Sequence, residues 1–230
     1  MRLLSVQLPK DEYHKRVGGG LPTGSIVLSE GPHGSGKSVL CQRLVYGLLS
    51  NGYKATYIST QMTTVEFINQ MTSMDYKITK ELIGGHLLYI PVYPLLSKNI
   101  RKENFIEKII HTKALYENDI IVFDSLSTII ANDANPEKID DLMAFFKRIA
   151  STEKVIIMTV NPGELPSTVN EQLRIAATII MELELKPFAG DIKNIVKIVK
   201  YNFAQQNFQR VTAFRVEPKI GLVVEITSIS

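Results

Sequence analysis

The residues best able to do chemistry lie together in Gly31-Pro32-His33-Gly34-Ser35-Gly36-Lys37-Ser38, a complete Gly-x-x-x-x-Gly-Lys-Ser pattern. Glycines at such positions let the chain turn tightly and approach a ligand closely, so that successive backbone amides and the start of the following helix donate to anionic oxygens. Lys37 would neutralise the β- and γ-phosphates of a nucleotide, and the Ser38 hydroxyl would ligate magnesium. Further along, Ile120-Ile121-Val122-Phe123-Asp124 is an apolar run ending in a carboxylate. Downstream of a phosphate loop, Asp124 is expected to act with the magnesium ion; the plainer alternative is a carboxylate that caps the next segment. Thr159 and Asn161 close another apolar run and are either γ-phosphate sensors or a strand end followed by an Asn-Pro turn.

These groups need particular elements to hold them. Ser25 to Glu30 reads as a short buried strand, and Leu40, Cys41, Leu44, Val45 and Leu48 recur at helical spacing before Asn51-Gly52 stops the helix. The phosphate loop therefore has the strand on one side and the helix on the other that its chemistry requires. Gly18 to Gly24 reads as a flexible turn cluster leading into that strand. Ala55 to Ser59 is a second strand, and Thr63 with Glu66 forms a capping box that opens a helix running to about Met71. Leu87 to Pro91 is another strand, followed by a helix with Phe105, Ile106, Ile109 and Ile110 on one face. Asn135-Pro136 starts a helix whose expected buried stripe is Leu142, Phe145, Phe146 and Ile149, and Lys154 to Val160 is a further strand. After that the pattern changes. Thr178 to Leu185, Ile192 to Tyr201, Val211 to Glu217 and Leu222 to Ile226 read as strands, with turns at Pro187 to Asp191 and Lys219 to Gly221, so antiparallel pairing is expected. Strict alternation would put Ile195, Lys197, Val199 and Tyr201 on one face, and would leave Lys200 ending the otherwise apolar face of Val196 and Ile198. The expected fold is α/β, with a mostly parallel central sheet flanked by helices and antiparallel C-terminal strands.

With 230 residues, 45% apolar and 21% charged, and no low-complexity divider, the chain reads as one domain over residues 1–230 with a sizeable core. A formal charge of +3 does not argue for nucleic acid, although Lys186, Lys193, Lys197, Lys200, Arg210, Arg215 and Lys219 crowd the last quarter, which suits a solvated or subunit-facing strand surface. Cys41 is the only cysteine, so no internal disulfide can form; its position in the apolar stripe suggests packing, and the chain suits a reducing cytoplasm. The N-terminus lacks the apolar stretch of a signal peptide, and no run approaches the roughly 20 residues of a spanning helix. Membrane association would come through a partner. His14, His33, His86 and His111 show no metal-ligand spacing.

The phosphate loop preceded by Gly-Gly-Gly-Leu-Pro-Thr-Gly-Ser, the Phe123-Asp124-Ser125 strand end and the antiparallel tail together resemble the RecA superfamily, and within it the KaiC-like ATPases. Ile58 to Thr64, Leu88 to Pro94 and Asp124 to Thr128 are similar to the accessory ATP-binding family of the archaellum, the archaeal flagellum, often called its H subunits. The resemblance covers nearly the whole chain. It implies a RecA/KaiC-like P-loop NTPase core that binds ATP and Mg2+, a homo-oligomer with a hexameric ring as the candidate form, and a place on the cytoplasmic face of the membrane. The partners it implies are the motor's secretion-type ATPase and the membrane platform protein.

Two departures from that pattern bear on catalysis. KaiC-like enzymes end the strand after the first helix in a pair of glutamates that activate water; Gln61 and Met62 stand here. Glutamine can orient water but cannot take its proton, and general-base catalysis contributes about 10²- to 10⁴-fold. The family's Lys-x-Arg, which sends cations to a neighbouring subunit's nucleotide, survives only as Lys200 in Lys200-Tyr201-Asn202. An arginine finger is worth roughly 10³- to 10⁵-fold, so slow turnover is expected, with Gln61 and Lys200 as the residual catalytic residues. Two alternatives follow. A working ATPase would need another base, for which Glu30 and Glu66 are the candidates, Glu66 being first of all the capping partner. A RecA-type DNA-binding protein would carry bases on the loop from Pro162 to Glu171, which holds two acids and no base, so no nucleic acid is expected.

Overall fold

The computed structural model describes residues 1–92, 104–188 and 191–225. Tyr93 and Pro94 of one resembling stretch, part of the turn expected before Asp191, and Ile226 lie outside the described residues.

The chain runs β1 (Leu3–Ser5), α1 (Tyr13–Arg16), β2 (Gly20–Pro22), β3 (Ile26–Glu30), α2 (Lys37–Ser50), β4 (Ala55–Ser59), α3 (Thr64–Ser73), α4 (Thr79–Ile83) and β5 (Leu87–Pro91). It continues through α5 (Phe105–His111), β6 (Ile120–Asp124), α6 (Leu126–Ile130), α7 (Pro136–Ala150), β7 (Val155–Val160), α8 (Ser167–Ala176), β8 (Ile179–Phe188), β9 (Asp191–Tyr201), β10 (Val211–Glu217) and β11 (Gly221–Glu225). Nine strands form one sheet in the order β11-β10-β9-β8-β3-β7-β6-β4-β5. Neighbours from β8 to β5 run parallel, while β8, β9, β10 and β11 pair antiparallel. No helix among the described residues is long and apolar enough to cross a membrane.

The central strands β3, β4, β6 and β7 are buried along their whole length, and their side chains alternate between two cores. Val27, Tyr57, Val122 and Ile157 meet α2 and α3 on one face, whereas Leu28, Ile58, Phe123 and Met158 meet α5 to α8 on the other. Period-2 geometry thus turns continuous apolar runs into two layers. Thr63 and Glu66 complete the capping box of α3, and the Asn135 side chain accepts from Lys138 N at the start of α7.

Several expectations change. The stretch expected as a turn cluster contains β2, which pairs with β1 in a separate two-stranded sheet. The buried stripe of α7 is Ile139, Leu142, Met143, Phe146 and Ala150; Phe145 and Ile149 are half-buried, and Phe145 meets Tyr116 edge-on. Helix α2 is buried beyond its apolar stripe, because Arg43 is enclosed with Asp11, donating from Nε at 2.8 Å and Nη2 at 2.5 Å, and with the Val6 carbonyl at 2.8 Å.

Strict alternation fails in β9. Ile180 faces Lys200 and Met181 faces Ile198, so Val199 is an extra, bulged residue. The bulge returns Tyr201 to the core face of Val196 and Ile198 and turns Lys200 toward α8. The crowded cations of the tail are largely paired with acids: Lys197 and Lys186 with Glu184, and Lys193 and Arg215 with Glu225.

Candidate functional site

Strand register brings the polar ends of four strands together. Glu30 is level with Val160, and Ser59 with Asp124, at the carboxyl edge of the parallel sheet, where ligands of open α/β folds bind. The loop Gly31 to Gly36 leaves β3 at this edge and enters α2 at Lys37. Two of its glycines are required sterically. Gly31 passes so close to β8 that a Cβ would lie 2.3 Å from the Leu183 carbonyl oxygen. Gly36, which caps α2 at φ 92°, would set a Cβ 2.9 Å from the Phe214 ring and 3.2 Å from Asn194 Nδ2. The antiparallel strands therefore back the phosphate loop.

Lys37 is buried, and its Nζ donates to the carbonyls of Gly31 (2.7 Å) and Pro32 (2.8 Å). Burial pushes its pKa below the ordinary lysine value, while the charges of Asp124 and Glu164 pull it back up. Asp124 is also buried, and its carboxylate accepts three hydroxyl hydrogen bonds. Oδ1 takes those of Ser38 (3.0 Å) and Thr159 (2.7 Å), and Oδ2 takes that of Tyr57 (2.7 Å). Burial first, and then the Asp124 charge, push the Tyr57 phenol well above its usual pKa, so it remains a donor. The Asp124–Ser125 peptide is cis.

His33, Gly34, Gly36, Lys37, Ser38, Val39 and Gln61 line a cavity of about 250 Å3. Gln61, two residues past the end of β4, therefore lies beside the phosphate loop. Ser35 lies inside the loop with a buried Oγ that has no partner among the described residues. A glycine cradle, a lysine whose ammonium donates to the loop's own carbonyls, a spare hydroxyl and the Ser38–Asp124 pair all fit a nucleotide polyphosphate with magnesium. Ser38 and Asp124 would hold such an ion. A larger cleft of about 370 Å3 between Met1, Gly24, Lys147 and Thr178 lies away from this loop, so volume alone does not mark the site.

Other candidates fall differently. Thr159 is fully buried against Asp124, so it orients that carboxylate rather than facing a ligand. Asn161 forms the turn, its Oδ1 accepting from Gly163 N at 3.1 Å. Glu30 is buried and paired with Arg174, which also bonds Glu182 at 3.0 Å; it is not among the residues lining the cavity. Glu66 is the capping partner of Thr63. Lys200 does not join the site within one chain. It is level with Ile180, two residues short of the level at which Glu182 meets Glu30, and its Nζ donates to the carbonyls of Arg174 (3.5 Å) and Ile175 (3.3 Å) at the end of α8.

Sequence reasoning missed Glu164 and Tyr57. The 3-10 turn Pro162–Glu164 folds Glu164 back so that Oε1 lies 3.3 Å from His33 Nε2, while Oε2 accepts from Ser127 Oγ (2.7 Å) and Thr128 Oγ1 (3.0 Å). The Pro-Gly turn was its only sequence signal. Tyr57 could have been found as a polar-tipped aromatic two residues from the end of a buried strand.

The family model described as "ATPase: KaiC" matches residues 11–227. The archaeal flagellar ATP-binding protein FlaH of Methanocaldococcus jannaschii is 54% identical over 230 residues, covering 100% of this chain and 99% of that protein. Its namesake from Methanococcus voltae is 53% identical over 230 residues, with 100% of each covered. The crystal structure of the M. jannaschii protein superposes with a TM-score of 0.94, covering 98% of this chain and 100% of that one. A KaiC-like protein from Pyrococcus horikoshii, 19% identical, superposes with a TM-score of 0.75 over 97% of this chain and 99% of that one, a likeness of fold.

Proposed function

Since the chain belongs to the KaiC-type ATPase family, and within it to the archaeal flagellar ATP-binding proteins, we propose that it is a nucleotide-controlled assembly component of the flagellar motor. It binds ATP with magnesium at the loop Gly31 to Ser38, hydrolyses it slowly, and in the bound state forms a homo-oligomeric ring. That ring docks with the motor's secretion-type ATPase and membrane platform protein on the cytoplasmic side of the membrane.

The observation that carries this reading is the residue opposite the loop. Gln61 lines the phosphate cavity where a fast ATPase of this fold would place a carboxylate, while the binding parts are intact. Magnesium would supply positive charge to neutralise the phosphates. On binding, Lys37 exchanges the Gly31 and Pro32 carbonyls for phosphate oxygens, and the loop amides donate alongside it. Ser38 and Asp124 would hold the ion, with Ser38 still donating to Asp124 and with Tyr57 and Thr159 keeping that carboxylate in place. Gln61 orients water without accepting its proton.

Lys200 of a neighbouring copy is the residue to reach the phosphates, released from the end of α8. Because a ligand that binds only the assembled form shifts the equilibrium toward it, occupancy alone controls assembly. Against the competing reading as a fast motor ATPase stand the engagements of both alternative bases, Glu30 with Arg174 and Glu66 in the capping box of Thr63.

The test is a single-turnover measurement with labelled ATP and magnesium, with particle mass followed in parallel by sedimentation. Expected are slow conversion to ADP and a larger species with ATP than with ADP. Rapid conversion, or a mass indifferent to nucleotide, would refute the proposal.

A further inference from the structure

On the reading that ATP binds at this loop, we propose that Glu164 is a specificity-determining residue that weakens binding of the terminal phosphate, and that its release from His33 signals ATP rather than ADP to the turn Asn161 to Leu165. The position of its carboxylate is fixed. Ser127 and Thr128 of α6 donate to one oxygen, and His33, inside the phosphate loop, contacts the other at 3.3 Å. The side chain is only 23% exposed, so water does not fully screen its charge. Lys37, which must meet the phosphates, already feels that charge. Lys37, the residue that meets the β- and γ-phosphates, sits on the Gly31 and Pro32 carbonyls beside His33, so a triphosphate brings more negative charge than a diphosphate toward the carboxylate that lies against His33.

The turn is built to respond as a unit. Asn161 N donates to Ser127 Oγ at 3.0 Å, Asn161 Oδ1 accepts from Gly163 N, and Asn170 Nδ2 ties the Pro162 and Leu165 carbonyls to α8 at 2.8 and 3.2 Å. Displacing Glu164 therefore loosens hydrogen bonds that run into α8, whose last turn holds Lys200. By reciprocity, whatever separates Glu164 from His33 should favour ATP over ADP.

Calorimetric titration of the wild-type chain and Glu164→Gln with ADP and with a non-hydrolysable ATP analogue, both with magnesium, tests this. Glutamine keeps an acceptor for Ser127 and Thr128 and removes the charge, so affinity for the analogue should rise about three- to tenfold more than affinity for ADP, as expected for one screened charge pair. Equal shifts for both nucleotides, or none, would overturn the proposal while leaving the binding site intact. In the wild-type chain, amide exchange at Gly163, Glu164 and Leu165 should be faster with the analogue than with ADP, and equal exchange would also overturn it. A wild-type chain that binds neither nucleotide would overturn the site reading, and this inference with it.

Discussion

Ser38 Oγ lies 3.0 Å from Asp124 Oδ1, joining the first turn of α2 to the end of β6 across 86 residues. Asp124→Asn keeps one acceptor and loses the second, leaving a buried hydroxyl poorly paired, which should cost about 1–3 kcal/mol of stability. Nucleotide affinity should fall more with magnesium than with EDTA. Titrations with equal losses under both conditions would make Asp124 a purely structural residue.

Lys37→Ala should weaken ATP binding roughly ten- to hundredfold, the worth of a charge-assisted contact. The pH dependence has a definite sign. Burial lowers the Lys37 pKa in the free chain, and phosphate oxygens favour the charged form, so the bound pKa is higher. Below the free-chain value the ammonium is charged in both states and affinity is full. Between the two values binding takes up a proton, and affinity falls as pH rises. Calorimetry in buffers of different ionisation heat should detect that uptake at alkaline pH in the wild type and not in Lys37→Ala.

Gln61→Glu puts a carboxylate into the wall of the phosphate cavity. The single-turnover hydrolysis rate should rise at least about tenfold, toward the 10²- to 10⁴-fold of general-base catalysis, with ADP affinity little changed. An unchanged rate would mean that the missing carboxylate does not limit turnover.

Arg43→Met leaves the Asp11 carboxylate, 5% exposed, without its bidentate partner. Breaking such a buried pair from one side costs about 3–5 kcal/mol, so the unfolding midpoint should drop sharply while nucleotide affinity of the folded protein stays the same. A loss under about 1 kcal/mol would remove the pair from its role in anchoring the N-terminal segment to α2.

Local patterns made most of the elements legible. Ala55–Ser59, Leu87–Pro91, Ile120–Asp124 and Val211–Glu217 are strands with the ends their composition marks, because apolar β-branched runs bounded by turn residues have few other ways to be buried. The phosphate loop and the capping box of Thr63 and Glu66 were equally plain, since each depends on neighbours within a few residues. The bulge at Val199 was not, because it exists only through pairing with β8, and it changes which face Lys200 occupies.

The sequence by itself determined the ligand chemistry of this protein: a glycine-rich loop ending in Lys37 and Ser38, a carboxylate at Asp124, and no carboxylate at Gln61. Only the tertiary structure decided how those groups are held. Asp124 is oriented by Tyr57, 67 residues away, and by Thr159, 35 residues away. Arg174 pairs with Glu30, and a turn more than a hundred residues downstream of the loop lays Glu164 against His33. Spacing along a chain reports bonds that close within one turn of helix or one strand. Contacts across a sheet depend on strand order and register, which local sequence leaves open until the whole sheet has assembled.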